Sequence, residues 1–280
     1  MQILAAVDGS RASVQAARYA AVIALASQGT VVLALAVPGA SRAPLPVAAG
    51  DAVLDGARAE LLPIGAPLRE KLLPGPPAEA IPRELHASHY DLVTLGSRGL
   101  GESGTPSLFL GSTALRIVRG AEVPVLLVRA TEVGLPVGGE GVPRISSLLV
   151  PTDGSLASLS AADTAARLAQ ALDAEATLLH VRVTTRGREP APAETELFAL
   201  SQAPFARRGV SVRSLSLSGD PTHEILRVAR EQAFDLIVMG TYGAGEPWHQ
   251  KVRLGSVAET VLVGAPCPVV LTKQPALTEM

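Results

Sequence analysis

The sequence predicts an α/β protein of two tandem domains, each a five-stranded parallel sheet with helices on both faces. Three observations carry that expectation. First, the chain repeats itself: Asp91-Leu92-Val93-Thr94-Leu95-Gly96-Ser97-Arg98-Gly99 returns as Asp235-Leu236-Ile237-Val238-Met239-Gly240-Thr241-Tyr242-Gly243, 144 positions on. Gly111-Ser112 and Pro124-Val125 return at the same offset as Gly255-Ser256 and Pro268-Val269, while Val7-Asp8-Gly9-Ser10 matches Thr152-Asp153-Gly154-Ser155 at 145. A domain-sized period means tandem domains rather than a solenoid. Second, short apolar runs alternate with stretches of helical periodicity, and strand–helix alternation implies a parallel sheet. Third, 48% of the 280 residues are hydrophobic but only 3% are aromatic. The chain can therefore bury a core, built from Ala, Val, Leu and Ile.

Each half follows the same order. Ile3 to Val7 and Ser147 to Val150 are apolar runs that stop at an Asp-Gly-Ser, as buried first strands do. Ser10, and Ser155 or Ser158, can cap the helices that follow. Those helices show in Val14, Ala17, Ala21 and Leu25, and in Leu159, Ala162, Ala166 and Ala169. Thr30 to Val37 and Ala176 to Val183 read as second strands, Gly50 to Leu62 and Ala193 to Arg208 as weaker helices. Leu68 to Leu73 and Val210 to Leu217 read as third strands. Pro77 to Ala87 and Pro221 to Ala233 are helices that open on a proline, which the first turn tolerates. Leu92 to Leu95 and Leu236 to Met239 are fourth strands, Gly111 and Gly255 open the last helices, and Val125 to Val128 and Val269 to Leu271 are fifth strands. The domains span 1–130 and 146–280. Between them 131–145 carries Gly134, Pro136, Gly138, Gly139, Gly141 and Pro143, a linker composition.

Composition excludes several functions. With 24 Lys plus Arg against 26 Asp plus Glu, the net charge of -2 offers no basic footprint for nucleic acid or an anionic membrane. One cysteine, Cys267, rules out an intrachain disulfide framework. The opening run reaches Asp8 after seven residues without a basic start, and no run approaches the roughly 18 apolar residues that cross a bilayer. A cytoplasmic protein is expected.

In an open parallel sheet, ligands bind beyond the carboxyl ends of the strands, where strand order reverses. Three features converge there in each half. Asp8 and Asp153 directly follow strand one; such a carboxylate can accept ribose hydroxyls, or can simply shape a turn. Gly96-x-x-Gly99 and Gly240-x-x-Gly243 follow strand four, where glycine lets backbone approach a ligand, although glycine also commonly ends a strand. Gly111-Ser112 and Gly255-Ser256 open helices whose free amides, dipole and hydroxyl suit an anion, although a serine is ordinary there too.

In this order, repeated twice, the motifs resemble a tandem universal stress protein, and the resemblance spans nearly the whole chain. Many members of that family bind ATP; others lack the glycine pattern and do not. The resemblance implies a Rossmann-like fold of the adenine nucleotide alpha hydrolase type. It implies that Asp8 and Asp153 meet the ribose, with Gly96 and Gly240 beside it. Gly99, Gly111 and Ser112, and Gly243, Gly255, Ser256 and Val257, would surround the phosphates, with room for Mg2+. Pro151 and Thr152 belong to the same pattern. Adenine would rest on Val181, and in the first half on Ala36. Fifth strands pair between domains in this family, so an internal pseudo-dimer is implied, with a homodimer as a further option.

Both halves depart from the family pattern in loop length, and two other features rank the second half above the first. The family's ATP-binding pattern has nine residues between the second glycine and Gly-Ser; here Leu100 to Leu110 and Ala244 to Leu254 each hold eleven. Of these loops only the second carries cations, Lys251 and Arg253, with His249; the first has Glu102. These cations could help neutralise phosphates or could be plain surface charge. Pro151-Thr152-Asp153 and His180-Val181 also lie nearer the family pattern.

Other residues carry weaker readings. His86 and His89 lack a third zinc ligand. His180 reads as a satisfied core histidine, His223 as solvent-facing and Cys267 as a buried, inert thiol. Trp248 stands in the second loop as a lid or an interface anchor. Neither a Gly-x-Ser-x-Gly elbow nor a Walker loop occurs. Three functions follow: a nucleotide-binding regulatory protein without efficient turnover, a structural interaction module, or a slow ATPase or nucleotidyl-transferring enzyme. The signature loops of ligases and nucleotidyl transferases, Ser-Gly-Gly-x-Asp-Ser and His-x-Gly-His, are missing, so the first is expected.

Overall fold

A computed structural model describes residues 1–37, 47–97, 110–129, 142–183, 194–243 and 254–274. The chain divides into two compact units, Met1–Arg144 and Ile145–Met280.

Unit one runs β1 (Gln2–Ala6), α1 (Arg11–Ala26), β2 (Thr30–Val37), α2 (Val47–Leu61), a single 3-10 turn (Leu62–Ile64), β3 (Leu68–Pro74), α3 (Pro77–Ala87), β4 (Leu92–Gly96), α4 (Ser112–Gly120) and β5 (Val125–Val128). Its strands lie in the order β3-β2-β1-β4-β5, all parallel. Unit two repeats this with β6 (Ser147–Pro151), α5 (Leu156–Leu172), β7 (Glu175–Arg182), α6 (Glu194–Arg207), β8 (Val212–Ser218), α7 (Pro221–Glu231), β9 (Leu236–Gly240), α8 (Ser256–Gly264) and β10 (Val269–Thr272). Its order is β8-β7-β6-β9-β10, again parallel. The five-stranded α/β expectation is met in both halves. Among the described residues, no helix is long and apolar enough to cross a membrane.

The element types follow from local chemistry. The central strands β1, β4, β6 and β9 are buried on both faces and are largely apolar, with Thr94 the one polar residue inside β4. The outer strand β3 is exposed along most of its length, which explains its mixed composition, Leu-Arg-Glu-Lys-Leu-Leu-Pro. Helices α1 and α5 bury mostly alanine: Ala12, Ala16, Ala17, Ala20, Ala21 and Ala24 beside Ser13, Tyr19 and Ile23 in one, Ala157, Ala161, Ala162, Ala165, Ala166 and Ala169 beside Ser158, Thr164 and Leu168 in the other. Small side chains let these helices sit close on the strands, so a core with few aromatics still fills.

Strand order sets the site. From β1 the chain steps outward through β2 to β3, then returns to the other side of β1 for β4. The reversal therefore falls between β1 and β4, and in unit two between β6 and β9. The crevice at their carboxyl ends is the place where such sheets take ligands.

Candidate functional site

Each crevice begins with an acidic turn. In unit two, Thr152 continues β6 by donating its amide to the Leu179 carbonyl at 2.8 Å. The exposed Asp153 then accepts the Ser155 amide through Oδ1 at 3.0 Å, closing an Asx turn. Gly154 sits inside that turn at φ 77°, a left-handed conformation that favours glycine. Ser155 caps α5 by accepting the Ser158 amide at 3.2 Å, and its hydroxyl donates to the Tyr242 carbonyl at 3.4 Å. Unit one builds the same turn: Asp8 Oδ1 accepts the Ser10 amide at 2.9 Å, Gly9 has φ 84°, and Ser10 accepts the Ser13 amide at 3.2 Å. Ser10 and Ser155 are thus the N-caps, and Ser158 sits within the first turn of α5. One oxygen of each carboxylate serves the turn.

The glycines divide into two kinds. A Cβ on Gly96 would lie 2.7 Å from the Ser13 amide nitrogen and 2.9 Å from Ala12, and a Cβ on Gly240 would lie 2.9 Å from Ala157 and 3.0 Å from the Ser158 nitrogen. Both positions exclude a side chain because a helix start packs on the strand end. Gly243 differs. Its Cβ would fall 2.8 Å from Asp153 Oδ2. The second glycine of the motif therefore leaves open the space beside the Asp153 carboxylate, and it is this glycine that joins the two segments of the crevice. Its counterpart Gly99 lies outside the described residues.

The third segment is a helix start. Gly111 and Gly255 are the N-caps of α4 and α8 and supply no capping side chain. Their own amides are taken, by the Ser97 and Thr241 carbonyls, each at 2.9 Å. That bond fastens the helix start to the end of β4 or β9, and Ser112 and Ser256 follow at the positive end of the helix dipole. Ser112 and Ser256 are exposed and Val257 is half-buried. The first turn of α8 also holds the exposed Glu259, whereas that of α4 holds no acid.

Val181 and Ala36 sit on the next-to-last rungs of their strands, paired with Leu217 and Leu73, both half-buried at the carboxyl end of the sheet. Pro151 ends β6 and is buried. Trp248, His249, Lys251, Arg253 and Glu102 lie outside the described residues.

The remaining candidates have structural explanations. His180 is half-buried and donates from Nδ1 to the Thr152 carbonyl at 3.0 Å. His223 is exposed, its amide held by Asp220 Oδ1 at 2.8 Å. Cys267 is buried, which pushes its thiol up to about 12; at neutral pH it stays protonated and unreactive. His86 lies 3.9 Å from Glu122 and, with His89 and Tyr90, lines a hollow of 370 Å³ at the amino ends of β4 and β5, opposite the crevice. Among the described residues no cluster of three metal-ligating side chains forms.

Two arrangements around the crevice are not marked by a motif of their own, and one of them brings in Ser201, which the sequence does not single out. Asp235 is buried, and its Oδ2 accepts the amides of Ser146 and Ser147 at 2.7 and 3.0 Å, clamping the start of β6 to β9. Thr152, Ser158 and Ser201 form a buried hydroxyl cluster behind the Asp153 turn, with Oγ–Oγ distances of 3.3 and 2.9 Å from Thr152. The available signal was a departure from the repeat, since Val7 stands where Thr152 does.

A family model described as the Universal stress protein family matches residues 1–129 and again 145–273. A universal stress protein of Methanocaldococcus jannaschii is 36% identical over 141 residues, covering 46% of this chain and 82% of its own. One of Bacillus subtilis is 29% identical over 153 residues, covering 46% of this chain and 99% of its own. Among solved structures, a universal stress protein of Archaeoglobus fulgidus is similar with a TM-score of 0.75 over 98% of both chains at 20% identity, a likeness of fold.

Proposed function

This chain belongs to the universal stress protein family, in two tandem copies, and from that premise we propose that it is a regulatory protein that binds an adenine nucleotide, foremost in unit two, without turnover at ordinary enzyme rates. The observation that best supports this reading is the approach of Gly243 to Asp153. The space that a Cβ would fill, 2.8 Å from Asp153 Oδ2, borders a helix start without a capping side chain. A carboxylate beside an anion-seeking helix end suits a molecule with hydroxyls at one end and phosphates at the other. The residues fit such a group. Asp153 would accept ribose hydroxyls, Gly243, Gly255, Ser256 and Val257 would face phosphates, and Val181 would offer an apolar surface to the base. Mg2+ would neutralise phosphate charge. Asp8, Ala36, Gly111 and Ser112 make the corresponding set in unit one.

Bound nucleotide acts here as a ligand that stabilises whichever state holds it. The test is isothermal calorimetry and thermal melting with ATP. Wild-type protein should bind and gain thermal stability, and Asp153→Ala should weaken binding more than Asp8→Ala. Equal effects would overturn the ranking of the two units.

A second reading has its own support: Asp8 and Asp153 both already serve Asx turns, which a structural module would also need. That reading expects neither heat nor thermal protection from millimolar ATP.

A further inference from the structure

Thr152, the residue before Asp153, is tethered in unit two by contacts that unit one lacks the side chains to make. Its carbonyl accepts His180 Nδ1 at 3.0 Å, and its hydroxyl lies 2.9 Å from Ser201 Oγ and 3.3 Å from Ser158 Oγ. All three hydroxyl residues are buried, Ser201 completely. The protons can be placed in one continuous chain. Ser158 donates to the Ser155 carbonyl at 2.9 Å, so its oxygen is left to accept from Thr152, and Thr152 in turn accepts from Ser201. The far end of this chain reaches the site. Ser155 donates its amide to Asp153 Oδ1 and its hydroxyl to the carbonyl of Tyr242, the residue before Gly243. Helix α6 holds both tethers, since Ser201 stands on it and Phe198, also on α6, meets the His180 ring edge-on at a centroid distance of 6.3 Å.

The corresponding residues of unit one are Val7, Leu35 and Ala57. The first two follow from the offset of 145 that pairs Asp8 with Asp153. Ala57 follows from the offset of 144 that pairs Gly65 with Gly209 and Leu61 with Phe205. None of the three side chains can make these hydrogen bonds. A buried hydroxyl chain is retained at a cost in desolvation and needs every member satisfied, whereas unit one fills the same space with apolar groups and keeps its Asp turn.

We propose that Ser201 and His180 are positioning residues that hold the Asp153 carboxylate, through Thr152, in the place where it recognises ribose hydroxyls. The inference rests on the nucleotide reading above. Ser201→Ala is the test, because unit one folds with Ala57 at the same place, and His180→Leu copies Leu35 as a second variant. Melting curves verify folding of both. The affinities of wild type and variants for ATP and for 2′,3′-dideoxy-ATP are then measured by calorimetry. Loss of a tether should weaken ATP binding about threefold to tenfold, the effect of one hydrogen bond, and leave the dideoxy nucleotide unchanged, so the preference for ATP shrinks. A variant that binds both nucleotides more weakly by the same factor, or keeps the wild-type preference, overturns the positioning role while the nucleotide reading stands. Wild-type protein that binds neither overturns both.

Discussion

At the residue scale, glycines that look alike in sequence do different work. Gly240 and Gly243 share one motif, yet the first is crowded by the backbone of α5 and the second by the tip of a carboxylate. Backbone cannot move aside cheaply, whereas an exposed aspartate can rotate. Gly240→Ala should therefore lower stability by about 1–3 kcal/mol, the range for overpacking, and shift the thermal midpoint down with or without ligand. Gly243→Ala should leave the melting temperature of the ligand-free protein nearly unchanged and displace Asp153 from the crevice, weakening ATP binding in calorimetry. If both variants lose stability equally, the division between packing glycine and site glycine is wrong. The motif was legible from the sequence, but this division was not, because it depends on which atoms lie opposite a missing Cβ. Gly96 shows the same limit: its expected place beside a ribose is also the place where Ala12 and Ser13 press on β4.

At the element scale, the two helix starts α4 and α8 share a glycine cap and differ in charge. The Glu259 carboxylate in the first turn of α8 favours the bare helix through the dipole and opposes an incoming anion. Glu259→Gln should tighten ATP binding in unit two about twofold to fivefold at low ionic strength, from a first-turn charge of roughly 0.3–1 kcal/mol, and added salt should shrink the gain. Calorimetry at two salt concentrations measures both effects. An unchanged affinity would place the phosphates away from α8. Elements were the most legible level of this protein. Apolar runs ending in Asp-Gly-Ser located β1 and β6, and proline openings located α3 and α7, because local chemistry decides those features. Helices α2 and α6 were harder to read. Pro204 lies within α6, where it cannot donate the intrahelical bond, so local sequence argues against the helix that forms there. Of the site, the Asp turns, glycines and helix starts could be read in order. The hydroxyl cluster could not, since Ser201 is a lone serine until the fold carries it to Thr152.

At the scale of the whole molecule, one backbone plan is filled by two different interiors. Unit one buries Glu84, whose Oε1 accepts Lys71 Nζ at 2.8 Å and the Tyr90 hydroxyl at 2.7 Å. The offset of 144 puts Leu215, Val228 and Phe234 at these positions in unit two, so there the same site is apolar. Burial alone would raise the Glu84 carboxyl, but hydrogen bonds from Lys71, Tyr90 and Ser88 outweigh it and hold the group below the ordinary glutamate value. A carboxyl whose value is depressed on folding stabilises fully above its unfolded value and loses that contribution as pH falls through the folded one. Burial, then the bond to Glu84, raises the Tyr90 phenol, so its contribution is complete below the ordinary tyrosine value, about 10, and is lost in strong alkali. Unit one should therefore carry an acid-sensitive contribution at this buried site, beside that of Glu224 in unit two, which hydrogen bonds from Arg227 and His223 also hold below the ordinary value. Replacing the triad together, Lys71→Leu, Glu84→Val and Tyr90→Phe, should flatten the dependence of thermal stability on pH between neutral and acid conditions. At neutral pH it should change stability by no more than about 1 kcal/mol, because Glu84 is buried but its partner Lys71 is exposed, so the ion pair is partly solvated. Tyr90→Phe alone should instead cost about 1.5–3 kcal/mol, the loss of a bond to a charged group whose other partners remain. Thermal melts of the three proteins across pH separate these outcomes, and a triple variant as acid-sensitive as wild type would show that the titrating group lies elsewhere.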